Sequence, residues 1–136
     1  SSEIFHGIFS PIPITPSTLT AAIIISFMNT DLYLVDLTSE TKAPTIISEH
    51  EGDVEYFAYS FTRDSKQLIF ATNEFGEYSQ AWSYDLESAT RALNFKADWD
   101  VRFSYFSKDG KYQVTGINAD AQTQLFIKNL ADNKSL

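Results

Sequence analysis

The densest group of side chains able to do chemistry is Glu49, His50, Glu51, Asp53 and Glu55, four carboxylates and one imidazole close together in the chain. Oxygen-rich loops can hold Ca²⁺, but this spacing follows no known cation loop, and a solvated connector between strands has the same composition. The connector is the favoured reading, and no metal or other cofactor is expected. Asp98, Trp99 and Asp100 form a second acidic group. Two carboxylates flanking a Trp suggest sugar chemistry, yet a glycosidase sets its acid and its nucleophile across the substrate from one another. Neighbours in one short segment do not stand that way. The parts of nucleophilic catalysis are missing too. There is no Cys, and the glycines at 7, 52, 76, 110 and 116 bracket no Ser at the spacing of a nucleophile elbow. Neither His6 nor His50 has a plausible nucleophile partner, so no catalytic residue is expected in this chain.

The elements that would position such groups follow from composition. With 136 residues the chain is long enough for one domain with a proper core and too short for two ordinary ones. Aromatics make up 15%, with 11 Phe and 7 Tyr, which favours strands, because aromatic and β-branched side chains pack well on a pleated surface. The net charge of -8 is spread without any basic cluster that could neutralise phosphates, so nucleic acid is not an expected partner. The longest apolar run, residues 19–28, is far short of the roughly 20 residues of a spanning helix, so no membrane span is expected. No Lys or Arg precedes that run, and Pro11, Pro13 and Pro16 stand where a signal peptide would be charged. The absence of Cys leaves periplasm and cytoplasm equally open.

Two phrases recur. FTRDSK, residues 61–66, returns as FSKDGK, residues 106–111. YLVDLTSET (33–41), WSYDLESAT (82–90) and FIKNLADNK (126–134) share the frame aromatic, two residues, Asp or Asn, Leu. Both phrases keep the same order and one period near 45 residues, which is the mark of a propeller or a similar array. The repeat signature is Phe61, Asp64 and Lys66, then Phe106, Asp109, Gly110 and Lys111, with Tyr33, Asp36 and Leu37, Trp82, Asp85 and Leu86, and Phe126, Asn129 and Leu130.

The fold class read from this pattern is all-β, a partial β-propeller of two and a half to three four-stranded antiparallel blades. Residues 1–20 form an irregular connector or edge strand, with ITPST a worn version of the turn phrase unless the phrase is lost there altogether. The three prolines argue against a central strand in this segment. Blade 1 covers 21–50, blade 2 covers 51–97, and blade 3 covers 98–136 with its outer strand missing. Asp109 and Gly110 suit the positive backbone angles of a tight hairpin turn, where Ser65 fits less well. Val54 lies seven residues before Phe61 and Val101 five before Phe106, a difference that suggests a bulge. Asp36, Asp85 and Asn129 are expected to bond backbone N–H groups where strands end. Tyr33, Trp82 and Phe126 are expected to pack between blades and not to form a ligand platform.

These motifs resemble the WD-repeat-like blades of TolB-type proteins and of the prolyl oligopeptidase family of serine peptidases. The segment 50–86 looks most like the peptidase propeller. His50, Gly52, Asp53 and Val54 match its H-x-G-D-V opening, Phe61, Asp64 and Lys66 its turn, Asn73, Gly76 and Ser79 its loop, and Asp85 and Leu86 its strand. Arg63 and Ser65 depart from that turn, standing where Pro and Gly are usual. The resemblance covers roughly 31–136. It implies a non-catalytic propeller segment that gates or positions peptide substrates for a hydrolase domain absent from this chain. The alternative it allows is a TolB-like module for protein–protein interaction. Propellers typically close with about four to eight blades, so a remaining domain of a parent protein or a homo-oligomer is expected to complete the ring.

Overall fold

The computed structural model describes residues 5–10, 21–26, 31–36, 44–64 and 66–136. They form three four-stranded antiparallel meanders, each with its strands in chain order. The first holds β1 (Phe5–Ser10), β2 (Ala21–Ser26), β3 (Leu32–Asp36) and β4 (Thr45–Ile46). The second holds β5 (Tyr56–Phe61), β6 (Gln67–Thr72), β7 (Gln80–Asp85) and β8 (Arg91–Phe95). The third holds β9 (Val101–Phe106), β10 (Tyr112–Ala119), β11 (Gln122–Asn129) and β12 (Lys134–Ser135). The first strands stand beside one another, β5 touching both β1 and β9, as spokes meet at a hub.

Each sheet is a blade, and two cores join them. Side chains alternate across a strand, so a single strand feeds both. From β6, Leu68 and Phe70 enter a core with Leu32, Tyr56, Ala58 and Phe61, between blades 1 and 2. Ile69, next to each of them in sequence, enters the other core with Ala81, Val101, Ile117 and Ala119, between blades 2 and 3. This two-sided burial explains the unbroken apolar run LIFA, residues 68–71, within β6.

Four details differ from the sequence reading. Blade 3 does have an outer strand: Lys134 pairs with Asn129 and Ser135 with Lys128. Its polar sequence carries no strand pattern, and it forms because Asn133 takes a positive φ of 57° while Asp132 Oδ1 accepts the Lys134 N–H at 3.0 Å. Blade 1 begins earlier than residue 21, since β1 pairs along its whole length with β2 as the edge of that sheet. It ends at Ser10, immediately before Pro11, which has no N–H to donate. ITPST, Leu37 and Ser65 lie outside the described residues.

The two residues that separate Val54 from the Val101 spacing sit in the connector, because β5 starts at Tyr56, five before Phe61, as β9 starts five before Phe106. Both strands carry a bulge, at Tyr59 and at Arg102. In the FSKDGK turn only Gly110 takes a positive φ, 72°. Its N–H bonds the Ser107 carbonyl at 2.9 Å, so the connection is a β-turn closed by a left-handed glycine, with Asp109 serving as acceptor. The connection between β10 and β11 is a two-residue hairpin: Ala119 pairs with Gln122, and Asp120 and Ala121 both have positive φ, at 49° and 61°. That is the geometry of a type I′ turn without the usual glycine.

Candidate partner-binding surface

The repeated phrases meet in space. In blade 2, Asp64 Oδ1 accepts the Thr62 hydroxyl at 2.6 Å and the Lys66 N–H at 3.0 Å. In blade 3, Asp109 Oδ1 accepts the Ser107 hydroxyl and the Lys111 N–H at the same two distances. The carbonyls of Lys66 and Lys111 then accept the N–H groups of Leu86 and Leu130, both at 2.9 Å. The turn phrase is therefore stapled to the end of the strand that carries the other phrase. Phe61 is buried in the first core and Phe106 packs against the second. Asp85 bonds the N–H groups of Glu87 and Ser88, and Asn129 bonds that of Ala131. For Asp36 the described backbone shows pairing with Ala21.

These capping carboxylates make stability depend on pH. Hydrogen bonds from Ser88 hold Asp85 below the usual carboxylate range, and those from Ser107 and Lys111 do the same for Asp109. A carboxylate whose pKa is depressed on folding contributes stability that is fully present above its unfolded value, about 3.9. That contribution is lost as pH falls through the lower folded value. The Asp85→Ala/Asp109→Ala chain is expected to show a shallower acid loss of stability than the parent below about pH 4, read from urea midpoints across pH. Equal slopes would contradict the assignment.

Polar contacts the sequence did not reveal tie the blades together. Between blades 1 and 2, Arg91 donates from Nη2 to the Ile47 carbonyl at 2.5 Å. Its Nη1 reaches Glu74 Oε2 at 3.3 Å and the Tyr56 hydroxyl at 3.2 Å, and that hydroxyl itself donates to Glu74. The guanidinium lies 5.7 and 5.8 Å from the ring centres of Tyr56 and Phe70, within cation–π range. His50 belongs to the same interface. Its Nδ1 is 2.7 Å from the Ser48 carbonyl and 3.3 Å from Asp31 Oδ1; both are acceptors, so Nδ1 carries the proton. Ser48, fully buried, accepts the Leu32 N–H and donates to Asp31. Between blades 2 and 3, the Tyr59 hydroxyl donates to the Val101 carbonyl at 3.0 Å and Ser60 to the Ser104 carbonyl at 2.9 Å. Burial pushes the Tyr59 phenol up to about 12, so it stays a donor across the working pH range.

The acidic connectors serve this framework. Asp100 caps the Ser79 N–H at 2.8 Å, and no group of three or more His, Asp or Glu among the described residues is placed to hold a metal ion. A different surface stands out. The loop 73–79 between β6 and β7 carries Phe75, 60% exposed at the turn tip, 4.9 Å from the Trp82 ring. Tyr78, in the same loop, lies 6.5 Å from Trp99, itself 40% exposed. Phe75, Tyr78 and Trp82 border a cleft of about 440 Å³. Trp82 packs by its other contacts on the first core. The signal that could have located this surface is the pair Phe75 and Tyr78 in a segment otherwise made of turn residues.

No family model and no curated protein matches this sequence. Solved structures do. Over 93% of its length the chain is similar to TolB from Acinetobacter baumannii, with a TM-score of 0.63 and 20% identity, and it covers 31% of that chain. It is also similar to a TolB-type protein from Agrobacterium tumefaciens, with a TM-score of 0.68, 15% identity, and coverage of 97% of this chain and 48% of that one. The fold is that of a partial β-propeller, each sheet a blade like those of these TolB structures. The chain spans less than half the length of either solved structure. Trp82 and Phe126 hold equivalent positions in successive blades, but Phe126 is 38% exposed and touches blade 2 through Phe95, at 5.0 Å between rings. The far face of blade 3 carries two rows fixed by register, Tyr105 beside Val114 and Ile127, and Phe103 beside Gly116 and Leu125. It corresponds to the face of blade 2, bearing Ile69 and Ala81, that blade 3 covers.

Proposed function

We propose that this chain is a blade array of a TolB-like propeller that acts as a protein-binding module and performs no catalysis itself. The observation that carries the reading is the loop 73–79, whose Phe75 is exposed at the tip and whose Tyr78 lies against the exposed Trp99, on a sheet scaffold held by two cores. Aromatic side chains are enriched at protein interfaces because they bring large area at small entropic cost. The fold likeness supports the same reading, since it lies with TolB-type structures. The immobilised chain is expected to retain a defined protein from an extract of its source, and Phe75→Ala/Trp99→Ala is expected to release it. Retention that ignores both substitutions would contradict the reading.

The finer reading, a propeller segment that admits peptides to a hydrolase domain elsewhere in a parent protein, draws its support from the match of His50, Gly52, Asp53, Val54 and Asp85 to the peptidase blade. In the fold His50 serves the contact with Asp31 and Ser48, and Asp85 serves its turn. Both are architectural uses. Peptide hydrolysis by a parent protein that contains this segment would establish that reading.

A further inference from the structure

The cleft beside loop 73–79 has a composition that blade packing does not require. Its rings are Phe75, Tyr78 and Trp82, and its charged lining is Glu77, Asp98 and Lys96. Among the described residues no hydrogen-bond or ion-pair partner engages the side chains of Glu77 or Asp98. Glu74 and Asp100, close by in sequence, are by contrast committed to Arg91 and to the Ser79 N–H. Two uncommitted carboxylates thus stand against one ammonium at the mouth of an aromatic cleft, in a chain of net charge -8.

We propose that this cleft receives an arginine side chain of the protein partner, an inference that rests on the binding-module reading above. Ring faces carry negative electrostatic potential and attract cations. A guanidinium is planar, weakly hydrated and able to fork toward carboxylates while stacking on an aromatic face. The cleft offers both surfaces to one group. An anionic side chain meets Glu77 and Asp98 at a repulsive cost, and a purely apolar one strips their water without replacing it. A volume of about 440 Å³ falls within the range of small-ligand pockets and exceeds what one side chain fills, leaving room for the flanking backbone. The excess negative charge of the chain steers a basic segment toward the site.

The chain supplies its own probe, because its two tryptophans, Trp82 and Trp99, both belong to this ring cluster. Tryptophan fluorescence is followed while the intact chain is titrated with Ac-Gly-Arg-Gly-NH2 and with the same peptide carrying citrulline, a neutral near-isostere. A saturable change with arginine is expected, at least tenfold weaker with citrulline and weakened by salt. Glu77→Gln/Asp98→Asn, both exposed positions, is expected to lower arginine affinity about tenfold with an unchanged thermal midpoint. The same response to both peptides, no response to either, or full affinity in the double variant would overturn the proposal. If the chain still retains a protein that Phe75→Ala/Trp99→Ala releases, while arginine gives no response, only the arginine assignment falls. If no protein is retained at all, the module reading falls first.

Discussion

Gly116→Val is expected to destabilise the chain by about 1–2 kcal/mol, below the upper end of what overpacking costs, because the contact lies on the far face of blade 3 and outside both cores. Gly116 pairs directly with Phe103 across β10 and β9, and the Phe103 ring lies over it, so that any Cβ at 116 would overlap the ring. Phe103 cannot simply rotate away at no cost, because its ring stacks on Tyr105 at 5.9 Å between centres. The ring or the strand must move, and β10 is the strand that supplies Ile117 and Ala119 to the second core. Urea denaturation followed by tryptophan fluorescence measures the loss. Phe103→Ala is expected to restore part of it in the double variant, since residues in contact couple. A neutral Gly116→Val, or a double variant whose losses simply add, would show that the ring does not sit on the glycine.

Arg91→Met is expected to cost about 2–3 kcal/mol, less than a fully buried ion pair because the side chain keeps some solvent contact. The substitution retains the aliphatic stem and removes the donors to Ile47, Glu74 and Tyr56 together with the cation over two rings. It leaves the Glu74 carboxylate without its counter-charge and the Ile47 carbonyl without its donor. Arg91→Lys should recover little, for one ammonium cannot address a carbonyl and a carboxylate with a planar fork. A double-mutant cycle with Glu74→Gln locates the effect: the penalty of Arg91→Met should shrink when Glu74 is already neutral. Faster amide exchange at Ile47, whose N–H bonds the Leu32 carbonyl at 2.9 Å, would report that blade 1 has loosened.

The blade plan was legible because its signals are local and repeated. Phe61 with Asp64, Phe106 with Asp109, and Asp85 with Leu86 are sites where turn chemistry dictates residue type, and they recur near one period. β12 escaped notice because a two-residue strand such as Lys134–Ser135 holds its place by pairing and by a left-handed Asn133, neither of which has a hydrophobic pattern. The Asp120 and Ala121 turn was hidden by the absence of glycine at positions with positive φ. The polar ties between blades were out of reach for another reason. Arg91 and Ile47, or Tyr59 and Val101, are more than forty positions apart, and no local rule links them. Tyr33, Trp82 and Phe126 share one repeated strand position and so pointed to blade packing, whereas Phe75 belongs to no repeat, and 15% aromatic content says nothing about which rings the loops carry outward.

Three hydrogen bonds that cross from one blade to the next share a form. Arg91 donates to the carbonyl of Ile47, Tyr59 to that of Val101, and Ser60 to that of Ser104. In each, one blade contributes a side chain and its neighbour contributes only main chain. A main-chain carbonyl is the same whatever residue bears it, so the receiving blade can change its sequence without withdrawing its half of the contact. At Ile47, Val101 and Ser104 the residue type is therefore free to change between duplicated blades while these three contacts persist.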